Sequence, residues 1–339
     1  MAVIGLSLSM FADGTNSGYG QDATIPVATL SHNGTVSAFY RTIALKSAVT
    51  AAVAGDTIYL AAGTYTSPDT IKKALVIRGT NIINGYPTII SGDLTLDMSD
   101  STATMSLEGL YFNNNLNLKG TLQSLEITKC RLYRSVPSSI VYYNYILISQ
   151  SLIKDYLDFN FNTSRKVIGN VTLHSCVIGS GSSYDGVSAS ADSPTQLNNC
   201  IVRATSSSSS SNSGREYRNF TNCIIYGSSS YYNMNANYCA FVGGTGSGNV
   251  RNSWNNVSYA TLFTDFTGTY SDTLTYTLTP SAQTTYIGFN GTQIGIYGGQ
   301  LPYNPAPNYP QISTLRVAEQ SDEDGTLQVE IQLSNPVTY

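Results

Sequence analysis

The chain has 339 residues, enough for one elongated repeat domain or two globular ones. Only 11% of the residues are charged and the net charge is −4, with no Lys/Arg block, which argues against a nucleic-acid partner. Ser, Thr, Asn, Gly and Tyr replace charge, a mixture suited to stacked strands and turns, and no apolar run reaches the roughly 18 residues of a membrane helix.

Residues 1–12, MAVIGLSLSMFA, resemble the apolar core of a secretory signal with cleavage after Ala12, although the basic n-region is missing. The alternative is an apolar first strand. With the composition, this segment points to a secreted or cell-surface protein. Residues 13–299 then read as one repeat domain, and 300–339 as a Pro-rich linker with a hairpin or the start of a further module.

Within 36–56, Leu45, Val49, Ala52 and Val53 share one helical face, with Gly55 as the stop. Asp56–Leu60 follows as a strand, then a Gly63-Thr64-Tyr65 turn and a second strand at Lys73–Gly79. A short helix before the first coil can plug the open apolar end of a solenoid, whose core and strand edges would otherwise be exposed.

The repeats become visible when the cysteines are aligned. ITKCRLY, LHSCVIG, LNNCIVR and FTNCIIY each place an apolar residue three before Cys and another two after it. ISQSLIK, LEGLYF and NYCAFV fit with Ser, Gly and Cys in the same slot. The slot runs Gly109, Cys130, Ser151, Cys176, Cys200, Cys223, Cys239, with steps of 21, 21, 25, 24, 23 and 16. A period in the low twenties without a helical stripe indicates a solenoid of short strands, hence an all-β right-handed parallel β-helix. Equivalent residues then stack about 4.8 Å apart, so the slot must be small and tolerate burial. Flanking residues such as Ile127, Leu132, Leu173, Ile178, Leu197 and Val202 would fill the interior. Stacked parallel Cβ vectors suit disulfides poorly, which predicts five free, buried thiols.

The residue after the slot is also often apolar: Leu110, Leu152, Val177, Ile201 and Ile224. Strand alternation turns these outward. Loops or crowded turns would cover them; an exposed stripe would mark a partner surface. Gly/Ser-rich stretches at 179–196 and 206–214 read as loops thrown out from the coil.

The run AAVAGDTIYLAAGTYTS…IKKALVIRG resembles the opening coils of the pectate-lyase-like β-helix superfamily, and LNNC and FTNC resemble its short repeats. Leu278-Thr279-Pro280 and the GTQIGIYGG run at 291–299 are similar to the closing segment of many exported bacterial β-helix proteins. Beyond Pro302–Pro310, two strand-like runs, Ile312–Ala318 and Thr326–Leu333, flank an Asp324-Gly325 hairpin signal. The resemblance implies enzymes of acidic polysaccharides: lyases that hold calcium with acidic side chains and use Arg or Lys as base, or hydrolases with clustered Asp.

Such chemistry needs carboxylates from neighbouring coils in one groove. Acids and bases such as Glu108, Glu126, Asp185, Asp192, Arg203, Arg215 and Glu216 form no matched set. The densest cluster is Lys154, Asp155 and Asp158, a weak catalytic candidate that also reads as a solvated turn. His174 reads as a structural or surface residue. Tyrosine is abundant, with 25 copies, and clusters at Tyr142, Tyr143 and Tyr145 and at Tyr231, Tyr232 and Tyr238. Its flat face and hydroxyl suit sugar rings, although Tyr also simply fills outward strand positions. The expectation is a non-catalytic, adhesin-like protein binding glycan or a partner surface, without metal or cofactor and monomeric. The alternatives are a polysaccharide lyase or hydrolase, with calcium in the lyase case, and a trimeric phage tail-spike-like module.

Overall fold

The computed structural model describes residues 26–80, 82, 87–162, 164–179, 186–204, 217–306, 311–317 and 329–334. The expected signal segment, the Ser-rich loop at 206–214, the Asp324-Gly325 turn and Asp185, Arg215 and Glu216 lie outside them. The described chain is a parallel β-helix, as the repeat predicts, and three stacks of parallel strands form its walls.

Sheet 1 runs from Thr57–Leu60 and Val76–Arg78 through the ends of three long strands, Leu94–Glu108, Leu110–Thr128 and Arg131–Ser149. It continues through Arg165–His174, Thr195–Asn198, Arg218–Thr221, Ser230–Asn237 and Thr245–Arg251. Sheet 2 includes Leu152–Ile153, Val177–Ile178, Ile201–Arg203, Ile224–Tyr226, Ala240–Val242 and Trp254–Val257. Sheet 3 is short, with Thr70 and Ile71 stacked on Thr95 and Leu96, and Leu157 and Asp158 on Val187 and Ser188. The loop expected over 179–196 is therefore interrupted by a stacked strand at Val187–Ser188.

Sheets 1 and 2 meet at a corner where the backbone turns left-handed. Lys129, Gln150, Ser175, Asn199, Asn222, Tyr238 and Asn252 occupy this column, all with φ between 49° and 56°. This corner explains the repeat spacing. In one coil Leu197 points inward, Asn198 outward, Asn199 turns the chain, and Cys200 and Val202 point inward again. The apolar residues three before and two after the slot thus share one bore, and those flanking residues are buried in a single core.

The corner also corrects the first rung. Gly109 has φ 66° and its N–H donates to Thr128 O, just as the Lys129 N–H donates to Ser149 O. Gly109 therefore belongs to the turn column, and Leu110 stands in the inward slot above Cys130. An αL turn needs glycine or a tolerant residue, and a glycine beside apolar residues mimics the small slot in a sequence pattern.

The slot has a second requirement beyond smallness. Cys176 Sγ donates to His174 O at 3.4 Å, Cys200 Sγ to Asn198 O at 3.3 Å, and Ser151 Oγ to Ser149 O at 2.7 Å. The slot atom also accepts: the Cys130 N–H donates to Ser151 Oγ at 3.0 Å and the Cys200 N–H to Cys223 Sγ at 3.4 Å. A short side chain that both donates and accepts satisfies buried backbone at the corner, which Cys and Ser share. All five cysteines are free and buried, as expected. Burial pushes the Cys130 thiol up to about 12 and holds those of Cys176, Cys200 and Cys223 well above their usual range.

The helix α1 (Ala44–Ala51) plugs the N-terminal end, burying Ala44, Leu45, Ala48 and Val49. Ala52 is buried beyond its last turn, whereas Val53, expected on the same face, is 49% exposed because the helix has already ended. Lys73 Nζ donates to the carbonyls of Val49, Thr50 and Ala52, a cationic cap where the helix dipole is negative. Asp56 accepts from the Val53 N–H at 2.8 Å and pairs with His32 Nδ1 at 2.7 Å. A hairpin, Val27–His32 with Thr35–Tyr40, precedes the helix, and its first strand pairs antiparallel with Thr57–Leu60. It covers the first strand edge of sheet 1. Its turn is Asn33-Gly34, both with positive φ, the residue pair that favours a two-residue hairpin.

The closing segment does not close an end. Residues 258–306 run back along the outside of sheet 2 as a strap. Phe289 N–H donates to Asn222 Oδ1 at 2.8 Å, Gly295 N–H to Asn222 O at 2.8 Å, and Asn199 Nδ2 to Gly295 O at 3.3 Å. Ser175 Oγ then donates to Leu301 O, Gln150 Nε2 to Pro302 O and Lys129 Nζ to Ala306 O. The corner column is thus a ladder of side chains gripping the strap over four coil spacings, about 19 Å. Beneath it, Leu152, Val177, Ile201, Ile224 and Ala240 form a second core with Leu262, Phe263, Phe266, Tyr276, Leu278, Ile294 and Ile296. The outward apolar stripe is covered by the chain itself. Finally, Gln311–Val317 and Val329–Ser334 form the expected antiparallel pair.

Candidate functional site

With sheet 2 strapped, the long open surface of the described coils is the outer face of sheet 1. Two columns line it. One runs Glu126, Leu147, Thr172, Gln196, Asn219, Asn235, Asn249, and the other Thr128, Ser149, His174, Asn198, Thr221, Asn237, Arg251. The period of two that buries Leu173, Leu197 and Phe220 turns these neighbours outward.

The later coils carry an amide ladder. Asn235 Nδ2 donates to Asn219 Oδ1, Asn249 Nδ2 to Asn235 Oδ1 at 2.8 Å, and Arg251 Nε to Asn249 Oδ1 at 3.2 Å. Beside it the corner residue Asn252 donates through Nδ2 to Asn237 Oδ1 of the second column at 3.1 Å. Each amide has two N–H groups and two lone pairs, so a ladder that uses one of each still presents the others outward. In the earlier coils hydroxyls pair between neighbouring coils, Thr104 with Ser124 at 2.8 Å on the exposed surface and Thr128 with the buried Ser149 at 3.1 Å. His174 sits among them with Nδ1 3.0 Å from Ser175 Oγ, and burial keeps its pKa below the usual value.

The tyrosine cluster divides. Tyr145 stacks in register between Ser124 and Asn170 on this face and is 37% exposed; Tyr142, across a bulge, is 51% exposed. Tyr143 is fully buried, its hydroxyl donating to the Leu96 and Lys119 carbonyls at 3.2 and 3.0 Å. It cannot stack on a sugar, because strand alternation turns it into the bore. Tyr231 is likewise buried while Tyr232 is exposed, and Tyr238 packs edge-on against Phe289 of the strap.

The proposed catalytic cluster disperses. Lys154 is exposed, with Nζ 5.7 Å over the Tyr133 ring. The Asp155 N–H donates to Tyr133 O, and its Oδ1 is buried without a hydrogen-bond partner among the described residues. Asp158 is buried and accepts from Ser188 Oγ, its register partner in the next coil. Local sequence density brought these three together; the corner between sheets 2 and 3 sends them to different environments. Among the described residues, no group of three or more His, Cys, Asp or Glu side chains is placed to hold a metal ion, and no helix is long and apolar enough to cross a membrane.

Comparison with known protein families, with curated proteins and with solved structures finds no match to this chain.

Proposed function

We propose that this chain is an exported or surface-displayed β-helix of the pectate-lyase-like kind, which binds glycan along the outer face of sheet 1 without cleaving it. The observation that carries the reading is the amide ladder Asn219–Asn235–Asn249, with the exposed rings of Tyr145 and Tyr142 in earlier coils. Sugar hydroxyls both donate and accept, and amides offer both roles at every coil. The exposed tyrosines add flat apolar faces at one end. Charge is sparse on this surface, which favours a neutral or weakly charged polymer. The lyase alternative, with its calcium, asks for carboxylates aimed into one groove, whereas Asp158 faces the coil stack and Lys154 an aromatic ring.

Binding to a panel of polysaccharides tests the proposal. The Tyr142→Ala/Tyr145→Ala pair and an Asn235→Leu variant should each weaken binding about tenfold, the equivalent of 1.4 kcal/mol. Absence of binding to every glycan, or release of unsaturated product from a uronic-acid polymer, would overturn it.

A further inference from the structure

The strap does more than cover apolar residues. Together with the coil residue Arg131 it lines a cavity of about 420 Å³. That volume lies within the range of roughly 300–1,000 Å³ typical of small-molecule sites.

The lining is assembled from distant parts of the chain. Arg131, the outward residue after the Cys130 slot, forms the floor with its guanidinium 4.1 Å above the Tyr111 ring. Its Nη1 pairs with the Asp272 carboxylate on a turn of the strap. Leu274, Tyr297, Tyr303 and Pro305 form the walls. The Tyr297 and Tyr303 rings meet edge to face, 6.1 Å apart at 80°, and the Tyr297 hydroxyl is fixed by donation to Thr275 O at 2.7 Å.

Two features define what fits. Arg131 and Asp272 are the charged residues among the described lining, and each neutralises the other. An ionic ligand would therefore displace a charge pair rather than find a free one. Second, the Arg131 side chain is 16% exposed, and its guanidinium has more N–H groups than the Nη1 pair with Asp272 uses. Beside it the Asp272 carboxylate is 28% exposed and keeps lone pairs free to accept. A donor and an acceptor side by side over aromatic walls match adjacent hydroxyls on a ring with an apolar face.

We propose that this cavity binds one neutral pyranose unit, its C–H face against Tyr297 and Tyr303, one hydroxyl donating to Asp272 and its neighbour accepting from the Arg131 guanidinium. The inference rests on the glycan-binding reading but places a second, separate subsite on a different face of the coil.

Saturation-transfer NMR on the full chain tests it, with a panel of neutral hexoses and the corresponding hexuronates as probes. The native chain should bind at least one neutral hexose and prefer it to its uronate. Asp272→Asn leaves the Arg131 charge uncompensated, so neutral binding should fall about tenfold and the preference should reverse towards the uronate. Leu274→Trp fills the cavity and should abolish binding, which keeps the test decisive should Asp272→Asn fail to fold. Hexose binding by a native chain that binds no polymer would sink the sheet 1 face and spare the cavity. No neutral hexose bound, a uronate preferred by the native chain, or binding that survives Leu274→Trp would each overturn the proposal.

Discussion

Ile224 gives the sharpest test of the strap. Its side chain points away from the bore, and in a bare β-helix truncating it would change stability by no more than about 0.5 kcal/mol. Here it is fully buried, with Cδ1 only 2.8 Å from where a Cβ on Gly295 would stand. Ile224→Ala removes three carbons from a site walled by sheet 2 on one side and the strap on the other, and should cost about 2–4 kcal/mol. Gly295→Ala should be costly for a related reason: its φ of 78° is unfavourable for alanine, and the new methyl meets Ile224. The two substitutions report one contact, so their effects should be non-additive. Urea unfolding followed by far-UV circular dichroism gives the stability. The single tryptophan, Trp254, packs edge-on against Tyr286 of the strap at 5.2 Å, so its emission reports strap docking independently. A cost for Ile224→Ala no larger than that of Tyr142→Ala, which changes an exposed ring, would refute the covered-face argument.

Other outcomes follow from the same structure. A thiol reagent should label none of the five cysteines in the native chain, even in mild alkali, and all five in denaturant without reductant; burial, not pairing, protects them. The Asp56 carboxyl is held below its ordinary value, first by the Val53 N–H and then by His32, so its contribution is present above the unfolded pKa of about 3.9 and lost as pH falls through the folded value. Asp56→Asn should therefore lower the melting temperature at neutral pH and flatten its fall in acid; an unchanged acid profile would count against the bond. Lys73→Met removes the cationic cap of α1 and should destabilise by about 0.3–1 kcal/mol, read as a lower melting temperature that Lys73→Arg largely restores.

The bore was legible because its cause is local and repeated. Leu197, Cys200 and Val202 recur with the same offsets in neighbouring coils, since one αL corner resets the alternation in the same way each time. The corner itself was not legible. Its occupants, Lys129, Gln150, Ser175, Asn199, Asn222, Tyr238 and Asn252, have a backbone angle in common, with Asn in only three of the seven places, and Gly109 was drawn into the wrong column for that reason. The strap was half legible: the apolar residues after the slot announced a cover, but nothing in 291–299 says that it pairs with coils some 70 to 100 residues earlier. Candidate residues fared worst. Tyr142 and Tyr143 are neighbours in sequence and opposites in space, because a strand turns adjacent side chains to different faces and bulges shift which one is inside. The lining of the cavity was beyond reach, since Arg131, Asp272 and Tyr303 meet only through the course of the strap.

That course also bears on where function can sit. A β-helix presents several long faces, and a polymer needs one that is both continuous and open. Sheet 2 has the more apolar outer surface, which by itself would mark a partner site. The chain occupies that surface with its own segment, and the corner side chains that hold it are directed to the strap rather than to solvent. What is left open on sheet 1 is polar and regular, stacked at about 4.8 Å with amides in register. A surface of that kind gives little hydrophobic driving force, so affinity must accumulate over many weak contacts along a polymer. Shortening the glycan should therefore weaken binding to the face steadily with length, whereas a pocket that holds one pyranose should respond to the first unit and little to the rest.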